Sequence, residues 1–257
     1  MREVSFEVGA DAYGRFMGRY SEPLAAKFVA FAGLTEGRHA LDVGCGTGAL
    51  TAELVGRLGT EAVSAVDPSN AFVAAARSRF PALDIRRASA ERLPFADDAF
   101  DFALAQLVVH FMKDAVAGLR EMARVTRPDG AVAACVWDHA GGGSPVSVFW
   151  KAVLDLDPDA RDESALAGAR EGQLAELFAA AGLHGIESTA LTVRSSFASF
   201  EEWWEPFTLG VGPAGEYVQG LDARRREALR DRCATLLPRE GPIEIVASAW
   251  ATLGRAS

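Results

Sequence analysis

The sequence predicts a doubly wound α/β fold. We expect a mostly parallel, seven-stranded sheet with an antiparallel C-terminal strand, helices on both faces and a helical lid. Along the first two thirds of the 257 residues, short apolar runs alternate with segments whose apolar residues recur every three or four positions. That alternation is typical of βαβ units, which build a parallel sheet. Near the C-terminus, two further strand patterns enclose a helical segment.

Each of the seven predicted strands is a short apolar run bounded by turn residues. In chain order they cover residues 39–43, 62–66, 83–87, 100–106, 131–137, 186–193 and 243–250. Because helical patterns follow most of the first five, these strands are expected to lie parallel in one sheet.

The helices are predicted from apolar faces and from residues that begin or end helices. Leu50, Leu54 and Leu58, at four-residue steps, predict a helix over residues 47–58. A helix over residues 172–181 ends at a glycine C-cap, Gly182. A third helix is predicted from the apolar face of Phe72, Ala76 and Phe80. A fourth is predicted from Val116, Leu119 and Ala123 and ends at the Pro128-Asp129-Gly130 turn. Ser21 and Pro23 predict the start of an N-terminal helix that ends near Gly33.

The segment between the last two strands is not a simple crossover. Ser199, with Glu202 three residues later, predicts a capped helix start. A Gly/Pro-rich loop over residues 210–220 and a helix over residues 222–237 follow. We therefore expect a single domain, divided into an N-terminal helical cap (residues 1–37), a sheet core (38–194), a helical lid insertion (195–242) and a C-terminal strand (243–257).

Composition excludes several classes of function. The chain carries 26 Lys and Arg against 35 Asp and Glu, a net charge of −9, which argues against nucleic acid as a partner. No apolar run has the length of a signal peptide or a membrane span, so we expect a cytoplasmic protein with no membrane partner. Three widely spaced cysteines and no His/Cys cluster predict no metal site.

A glycine-rich turn directly after the first strand is the most informative segment. Gly44, Gly46 and Gly48 stand at alternate positions, where they allow the backbone to approach a ligand closely. The helix after this turn directs its N-terminal N–H groups into the same space. Asp67 ends the second strand, where a carboxylate can accept hydrogen bonds from both hydroxyls of a ribose. The pattern predicts a nucleoside bound across the strand ends.

Two classes of nucleotide cofactor remain open at this point. Gly44, Gly46 and Ala49 also satisfy the dinucleotide fingerprint G-x-G-x-x-[G/A], so an NAD(P)-dependent oxidoreductase is one alternative. Asp42 lies two residues before the first glycine, and its charge would repel a pyrophosphate but attract a sulfonium with an amino group. A binding module without turnover is a further alternative, because its nucleoside contacts would look the same.

Several segments, in order, resemble one family. The run from Asp42 to Gly48 (DVGCGTG) resembles motif I of the class I S-adenosylmethionine-dependent methyltransferases, and Asp67-Pro68-Ser69 resembles their ribose-binding turn. Residues 89–95 (SAERLPF) and 124–134 (RVTRPDGAVAA) are similar to segments of the small-molecule, UbiE-like (methyltransferase type 11) branch, as is YGRFMGRY at residues 13–20. The match covers about half of the chain and implies a Rossmann-like fold, S-adenosylmethionine as cofactor and a small-molecule acceptor.

The resemblance also implies roles for individual residues in the cofactor-binding core, residues 38–194. The glycines would pack on the methionine part, Asp42 would face its amino group and Asp67 would hold the ribose. The remaining implied contacts are Pro68 or Ser69 beside the adenine, Ala90 and Glu91 flanking it, Gln106 at the methionine carbon chain and Arg19 at the cofactor carboxylate. Ser89 stands where many relatives have an acidic residue that contacts the adenine amino group.

Candidate catalytic and acceptor-binding residues follow the fourth and fifth strands or lie in the lid. His110 and His139 are close in sequence to those strand ends, and an imidazole can take a proton from a phenol or an amine. Trp137, Trp203 and Trp204 are aromatic residues that could wall an apolar pocket, although the lid tryptophans could equally attach the lid to the core. We expect methyl transfer to O, N or C of a small, apolar or aromatic metabolite.

Overall fold

The computed structural model describes residues 13–257, so the first twelve residues of the predicted cap lie outside the described residues. Its strands form one seven-stranded sheet in the order β3-β2-β1-β4-β5-β7-β6. They are β1 (Ala40–Val43), β2 (Val63–Asp67), β3 (Asp84–Arg87), β4 (Phe100–Gln106), β5 (Thr126–Trp137), β6 (His184–Phe197) and β7 (Ile243–Arg255). The seven predicted strands are therefore all present.

The pairing pattern confirms the predicted fold class. Strands β1 to β5 are parallel to one another, and β7 runs antiparallel to both β5 and β6. The order changes direction between β1 and β4, and the carboxyl ends of these two strands reach the same edge of the sheet. In open α/β sheets, ligands bind outside the carboxyl ends of the strands at such a reversal. This edge of the sheet is therefore where a site is expected.

Helices cover both faces of the sheet. They are α1 (Arg19–Phe31), α2 (Ala49–Leu58), α3 (Asn70–Arg79), α4 (Ala115–Val125), α5 (Ser147–Leu156), α6 (Gln173–Ala180), α7 (Phe200–Trp204), α8 (Gly212–Gln219) and α9 (Ala223–Leu236). One apolar cluster joins α1, α2, α3, α5 and the last three helices to one face, and a second joins α4 and α6 to the other. None of the helices within residues 13–257 is long and apolar enough to cross a bilayer.

The start of β5 differs from the prediction. The expected turn at Pro128-Asp129-Gly130 lies inside the strand as a bulge, because Phe100 pairs with Thr126 and Phe102 with Ala131. Asp129 adopts a φ of 62° there. The inserted residues gain partners from the C-terminus, since the Asp129 N–H donates to the Ala256 carbonyl and the Ala256 N–H to the Gly130 carbonyl. Pairing with the far end of the chain keeps the turn residues in the sheet.

Three helical segments also differ from the prediction. Helix α1 begins two residues before Ser21, directly after a π-helical turn (Gly14–Gly18), and Pro23 lies inside it. Residues 210–220, predicted as a loop, contain α8, whose Gly215 packs directly on the Gly210 backbone with no room for a side chain. Helix α5 was not predicted at all. Its apolar stripe (Phe149, Ala152 and Val153) is short and follows a glycine-rich turn.

Candidate active site

The glycine loop links the end of β1 to the start of α2. The N–H groups of Gly44 and Cys45 donate to the Val66 carbonyl of β2 at 2.8 and 2.9 Å, which fixes the loop against the neighbouring strand. All three glycines have positive φ, at 77° for Gly44, 53° for Gly46 and 88° for Gly48. L-residues rarely adopt this region, so the loop conformation requires glycine at these positions.

Space around the loop differs between its three glycines. A Cβ on Gly44 would meet Val108 at 2.5 Å, and one on Gly48 would meet the Phe80 ring at 2.6 Å. A Cβ on Gly46 would meet nothing within 4 Å. The two outer glycines are therefore needed for packing, whereas the middle one leaves its side of the backbone open to a ligand.

Asp67 joins the tip of β2 to this loop. Its carboxylate accepts hydrogen bonds from the Gly46 N–H at 2.9 Å and from the Ser69 N–H at 2.8 Å. The residue is buried, and burial raises its pKa above the ordinary value, while the two backbone donors lower it. Asp67, predicted to hold the ribose, thus holds the glycine loop and the start of α3.

Asp42 lies beneath the loop rather than on its surface. The residue is 1 % exposed, and the Thr51 hydroxyl of α2 donates to its carboxylate at 2.6 Å. Burial, together with the nearby charge of Asp67 and against the lowering effect of the Thr51 hydrogen bond, raises the Asp42 pKa to about 7. The two carboxylates are therefore close enough to interact and lie on the same side of the sheet. Asp42 can influence a cation on the loop through its charge.

One predicted cofactor residue, Gln106, and one residue without a predicted contact, Tyr13, contribute polar or aromatic groups here. The Gln106 side-chain N–H donates to the Ser21 carbonyl at 2.9 Å, while its Oε1 is buried without a partner among the described residues. Tyr13 packs edge-on against Phe72, with ring centroids 5.3 Å apart. Burial raises the Tyr13 pKa to about 12, and the charge of Asp67 adds to the shift. Tyr13 thus lies close enough to the carboxylate at the end of β2 to feel its charge.

Most of the side chains that were predicted to lie beside the adenine contact other groups of the protein. Ser69 caps α3, and its hydroxyl accepts from the Phe72 N–H at 3.4 Å. Ala90 is buried in the apolar cluster that includes α4, and Pro68 is exposed. The Glu91 carboxylate accepts the Lys113 N–H at 2.8 Å. The Glu91 side chain therefore supports the loop before α4 and does not project freely toward a ligand.

A mainly apolar cavity of about 50 Å³, the inner cavity, opens beside the ends of β4 and β5. Its walls come from four parts of the fold. Tyr13, Phe16 and Met17 line it from the N-terminal turn; Leu107, His110 and Phe111 follow β4; Trp137, His139, Pro145, Val146 and Glu163 come from β5 and the chain after it; and Val211, Gly212, Pro213 and Ala214 belong to the insertion between β6 and β7. Residues far apart in sequence thus enclose one small space.

The inner cavity brings both candidate catalytic histidines together. The rings of His110 and His139 have centroids 5.8 Å apart. Burial lowers the pKa of His139 to about 4 and that of His110 well below its ordinary value, so both imidazoles are neutral near pH 7. Both His139 ring nitrogens, His110 Nδ1 and Trp137 Nε1 are buried without a hydrogen-bond partner among residues 13–257. Buried polar groups are normally satisfied, so these atoms are expected to meet a ligand or water.

Three predicted site residues lie elsewhere. Trp203 and Trp204 are buried among Phe149, Phe200 and Phe207 and do not line the inner cavity, so they attach the insertion to the core. Arg19 was expected at the cofactor carboxylate, but its guanidinium pairs with Glu202 at 2.9 Å and covers the Phe197 ring. Glu202, predicted to cap α7, accepts the Ala198 N–H at 2.7 Å and thereby holds Arg19 against the insertion.

Sequence reasoning missed Glu163 and the role of Tyr13 in this site. Glu163 lies in a polar connection without periodicity, where no sequence signal distinguishes it from exposed neighbours. Tyr13 belongs to the YGRFMGRY segment, which contributes to the family resemblance but does not by itself predict a contact for this residue. No group of three or more His, Cys, Asp or Glu side chains that could hold a metal ion occurs within residues 13–257.

Comparison with known proteins identifies the family. The profile of the family described as "Methyltransferase domain" matches residues 41–134. A demethylmenaquinone methyltransferase of Mycolicibacterium paratuberculosis is 32% identical over 173 residues, 62% of this chain and 74% of that protein. The O-methyltransferase cnsE of Penicillium expansum is 34% identical over 197 residues, 72% of this chain and 65% of that protein.

The chain spans different shares of its curated relatives, and a solved structure has the same fold. Two further curated relatives are matched over only 33% and 40% of their length. A methyltransferase structure from Bacillus halodurans superposes with a TM-score of 0.58 at 14% identity, covering 90% of this chain and 98% of that one. The fold, the glycine loop and these relatives together favour a methyltransferase over an NAD(P)-dependent oxidoreductase. The chain belongs to the class I S-adenosylmethionine-dependent methyltransferases and is an enzyme of their small-molecule type.

Proposed function

We propose that this enzyme methylates an O–H or N–H group of a small apolar or aromatic acceptor whose reacting end enters the inner cavity. The predicted range of O, N or C narrows to a protic heteroatom because neutral imidazoles line that cavity. We further propose that residues 195–242 act as the lid and residues 38–194 as the cofactor-binding core. The contribution of residues 211–214 to the cavity wall supports the lid.

The glycine loop and its surroundings fit S-adenosylmethionine. Gly46 offers an open backbone surface, and Gln106 offers a buried carbonyl oxygen that has no partner in the part of the chain that the structure describes. We propose that Gly44, Gly46 and Gly48 contact the methionine part beside Gln106, that Asp67 holds the ribose, and that Asp42 favours the cation by its charge. Pro68, Ser69 and Ala90 would lie along the adenine, and Glu91 would take part through its backbone. When bound, S-adenosylmethionine supplies a methyl group on a sulfonium.

The protein's own contribution to the chemistry is positioning and proton removal. Closure of the inner cavity by the N-terminal turn and the lid would exclude water and align the acceptor with the strand ends. His139 is the stronger candidate for the base because both of its ring nitrogens are buried and have no hydrogen-bond partner within residues 13–257. A neutral imidazole accepts a proton as the acceptor oxygen or nitrogen is methylated. His110, 5.8 Å away between ring centroids, would orient the acceptor or replace His139 as base.

One observation carries this proposal. Two neutral histidines and the Trp137 indole, with buried polar atoms that no described residue satisfies, converge on one apolar cavity beside the predicted cofactor loop. A purely structural core would leave such atoms unsatisfied at a cost of about 1–3 kcal/mol each. A ligand with a protic group would satisfy them.

A methyl-transfer assay tests the proposal. Purified enzyme is incubated with S-adenosylmethionine carrying a labelled methyl group and a panel of phenols, aryl amines and enolisable carbon acids. We expect transfer to phenols or aryl amines, and a decrease of about a hundredfold or more in kcat for His139→Gln. His184→Gln, at the exposed start of β6, is the matched control and should retain wild-type activity. Transfer only to carbon acids, or equal activity of His139→Gln, His110→Gln and the wild type, would contradict the proposal.

A further inference from the structure

A second, larger cavity adjoins the inner one. This outer cavity has a volume of about 410 Å³ and is lined by the loop after β5, by α5 and by residues 162–164. His139 and Glu163 line both cavities. The two spaces are therefore separated by a wall of two ionisable side chains, and a molecule that extends from one cavity to the other would contact both.

The carboxyl group of Glu163 is buried with a single neutral hydrogen-bond donor. Glu163 is 6 % exposed, and the Trp150 indole N–H donates to its Oε2 at 2.7 Å. Burial raises the Glu163 pKa to about 7, the Trp150 bond lowers it and the charge of Asp162 raises it. A buried carboxyl normally has a cationic partner. Within the described chain, Glu163 forms no ion pair.

Charges around the outer cavity do not supply that cation. Lys151 pairs with Asp155 at 3.3 Å, and Asp155 also pairs with Arg232 at 2.6 Å. This cluster carries a net charge of +1, but within the described chain neither of its cations pairs with Glu163. Among the described residues, the Asp162 carboxylate accepts hydrogen bonds from the Ser164 N–H and hydroxyl alone. Glu163 and Asp162 thus place two carboxyl groups on one side of the cavity, and neither forms an ion pair with a cation among the described residues.

Unsatisfied polar atoms in the inner cavity are a second, independent observation that indicates a ligand-binding site in this region. Trp137 is 3 % exposed and His110 is 8 % exposed, and each has a buried ring nitrogen with no partner among the described residues. Both line the cavity that Glu163 also lines. Glu163 is therefore part of a site with unsatisfied polar atoms, and not an isolated buried acid.

We propose that Glu163 is the specificity-determining residue for an acceptor that carries an ammonium group. The reacting end of this acceptor enters the inner cavity, and its ammonium group forms an ion pair with Glu163 at the wall of the outer cavity. The inference rests on the proposed function in placing the acceptor in the inner cavity. It adds the charge of the substrate class, which the apolar lining alone does not indicate.

Three phenols of similar size serve as probes. Tyramine carries an ammonium group, para-propylphenol is its neutral counterpart, and para-hydroxyphenylpropionate carries a carboxylate. Dissociation constants are measured calorimetrically with the enzyme saturated with S-adenosylhomocysteine, at about pH 8, where the Glu163 carboxyl is mostly ionised. The wild type is expected to bind tyramine about tenfold more tightly than para-propylphenol. It is expected to bind para-hydroxyphenylpropionate most weakly of the three.

Glu163→Gln separates charge from shape, because the amide can still accept the Trp150 hydrogen bond. We expect this variant to lose the preference for tyramine, with the dissociation constant of para-propylphenol changed by less than about threefold. Glu171→Gln makes the same chemical change at an exposed position of the same connection and should keep the wild-type preference. Binding of S-adenosylhomocysteine reports on the fold of each variant.

The outcomes separate this inference from the proposed function. Wild-type enzyme without a preference for tyramine, including enzyme that binds none of the three phenols, would overturn the inference, as would a preference retained by Glu163→Gln. The proposed function fails on a different result, namely absence of methyl transfer to any phenol or aryl amine by enzyme that binds S-adenosylmethionine.

Discussion

The carboxylate of Asp67 accepts a 2.9 Å hydrogen bond from the Gly46 N–H, and this contact joins the tip of β2 to the middle of the glycine loop. Its other oxygen accepts the Ser69 N–H at 2.8 Å, at the start of α3. One side chain therefore orients two backbone segments that face the predicted nucleoside. Such preorganisation reduces the ordering cost of binding.

Replacing Gly44 by alanine should destabilise the protein. The new Cβ would meet Val108 at 2.5 Å, and the backbone has a φ of 77°. Left-handed backbone and overpacking together cost about 2–4 kcal/mol. Denaturant unfolding measures this loss. Gly56→Ala, inside α2 with nothing within 4 Å, is the control and should stabilise by about 0.5–1 kcal/mol. Equal stability of the two variants would show that the loop is not tightly packed.

Lowered histidine pKa values predict an unusual pH–rate profile. Burial lowers the His139 pKa to about 4, so its neutral, basic form persists throughout the neutral and mildly acidic range. Activity that depends on this base should fall only as the pH approaches about 4. The pH dependence of kcat/KM for a phenol acceptor measures the free enzyme. With S-adenosylmethionine saturating, so that the raised pKa of Asp42 does not enter through cofactor binding, an acidic limb between about pH 6 and 7 would indicate a solvated imidazole and contradict the buried site.

Glu163 should make the protein less stable as the pH rises. Its pKa is raised in the folded state from 4.5 to about 7, so the folded state binds the proton more tightly than the unfolded chain. The associated stability is present below about pH 4.5 and is lost as the pH rises through about 7. Over that window the loss amounts to about 2–3 kcal/mol. Asp162, His139, Lys151 and Asp155 face the same cavity wall.

Urea unfolding at several pH values measures this effect. Glu163→Gln should gain stability relative to the wild type on going from acid to about pH 8, because the amide does not ionise. The exposed Glu171→Gln should follow the pH dependence of the wild type. If Glu163→Gln and the wild type keep a constant difference in the free energy of unfolding, the Glu163 carboxyl is not buried as described.

Arg19→Gln tests the reassignment of Arg19 to the insertion. The Arg19–Glu202 pair has side chains 31% and 41% exposed, so its loss should cost no more than about 1 kcal/mol. Affinity for S-adenosylmethionine should change by less than about twofold, because the guanidinium faces the insertion. A decrease of about tenfold or more in that affinity would show that Arg19 binds the cofactor carboxylate and contradict its assignment to the insertion.

Local sequence patterns were sufficient for the sheet and for the loop. The seven strands, the glycines and the two acidic residues followed from apolar runs and from residues with special backbone freedom. The bulge at the start of β5 could not be predicted, because it depends on pairing between Gly130 and Ala256 at the other end of the chain. Helix α8 likewise depends on close packing of Gly210 against Gly215.

The acceptor site was only partly predictable for the same reason. His110, His139 and Trp137 follow strands and could be named from sequence. Trp203 and Trp204 have the same aromatic character, and only their packing against Phe149 and Phe207 distinguishes a core role from a cavity role. Glu163 becomes visible only when tertiary structure brings it to the cavities.

Calorimetric titration with S-adenosylmethionine and S-adenosylhomocysteine tests the central claim most directly. The wild type should bind one equivalent of each, and Asp67→Asn should bind both about 10–100-fold more weakly, because charge-assisted hydrogen bonds to the ribose are weakened. Asp84→Asn, an exposed acid on β3 that pairs with Arg86, should bind like the wild type. Absence of binding by the wild type, or unchanged affinity of Asp67→Asn, would contradict the account.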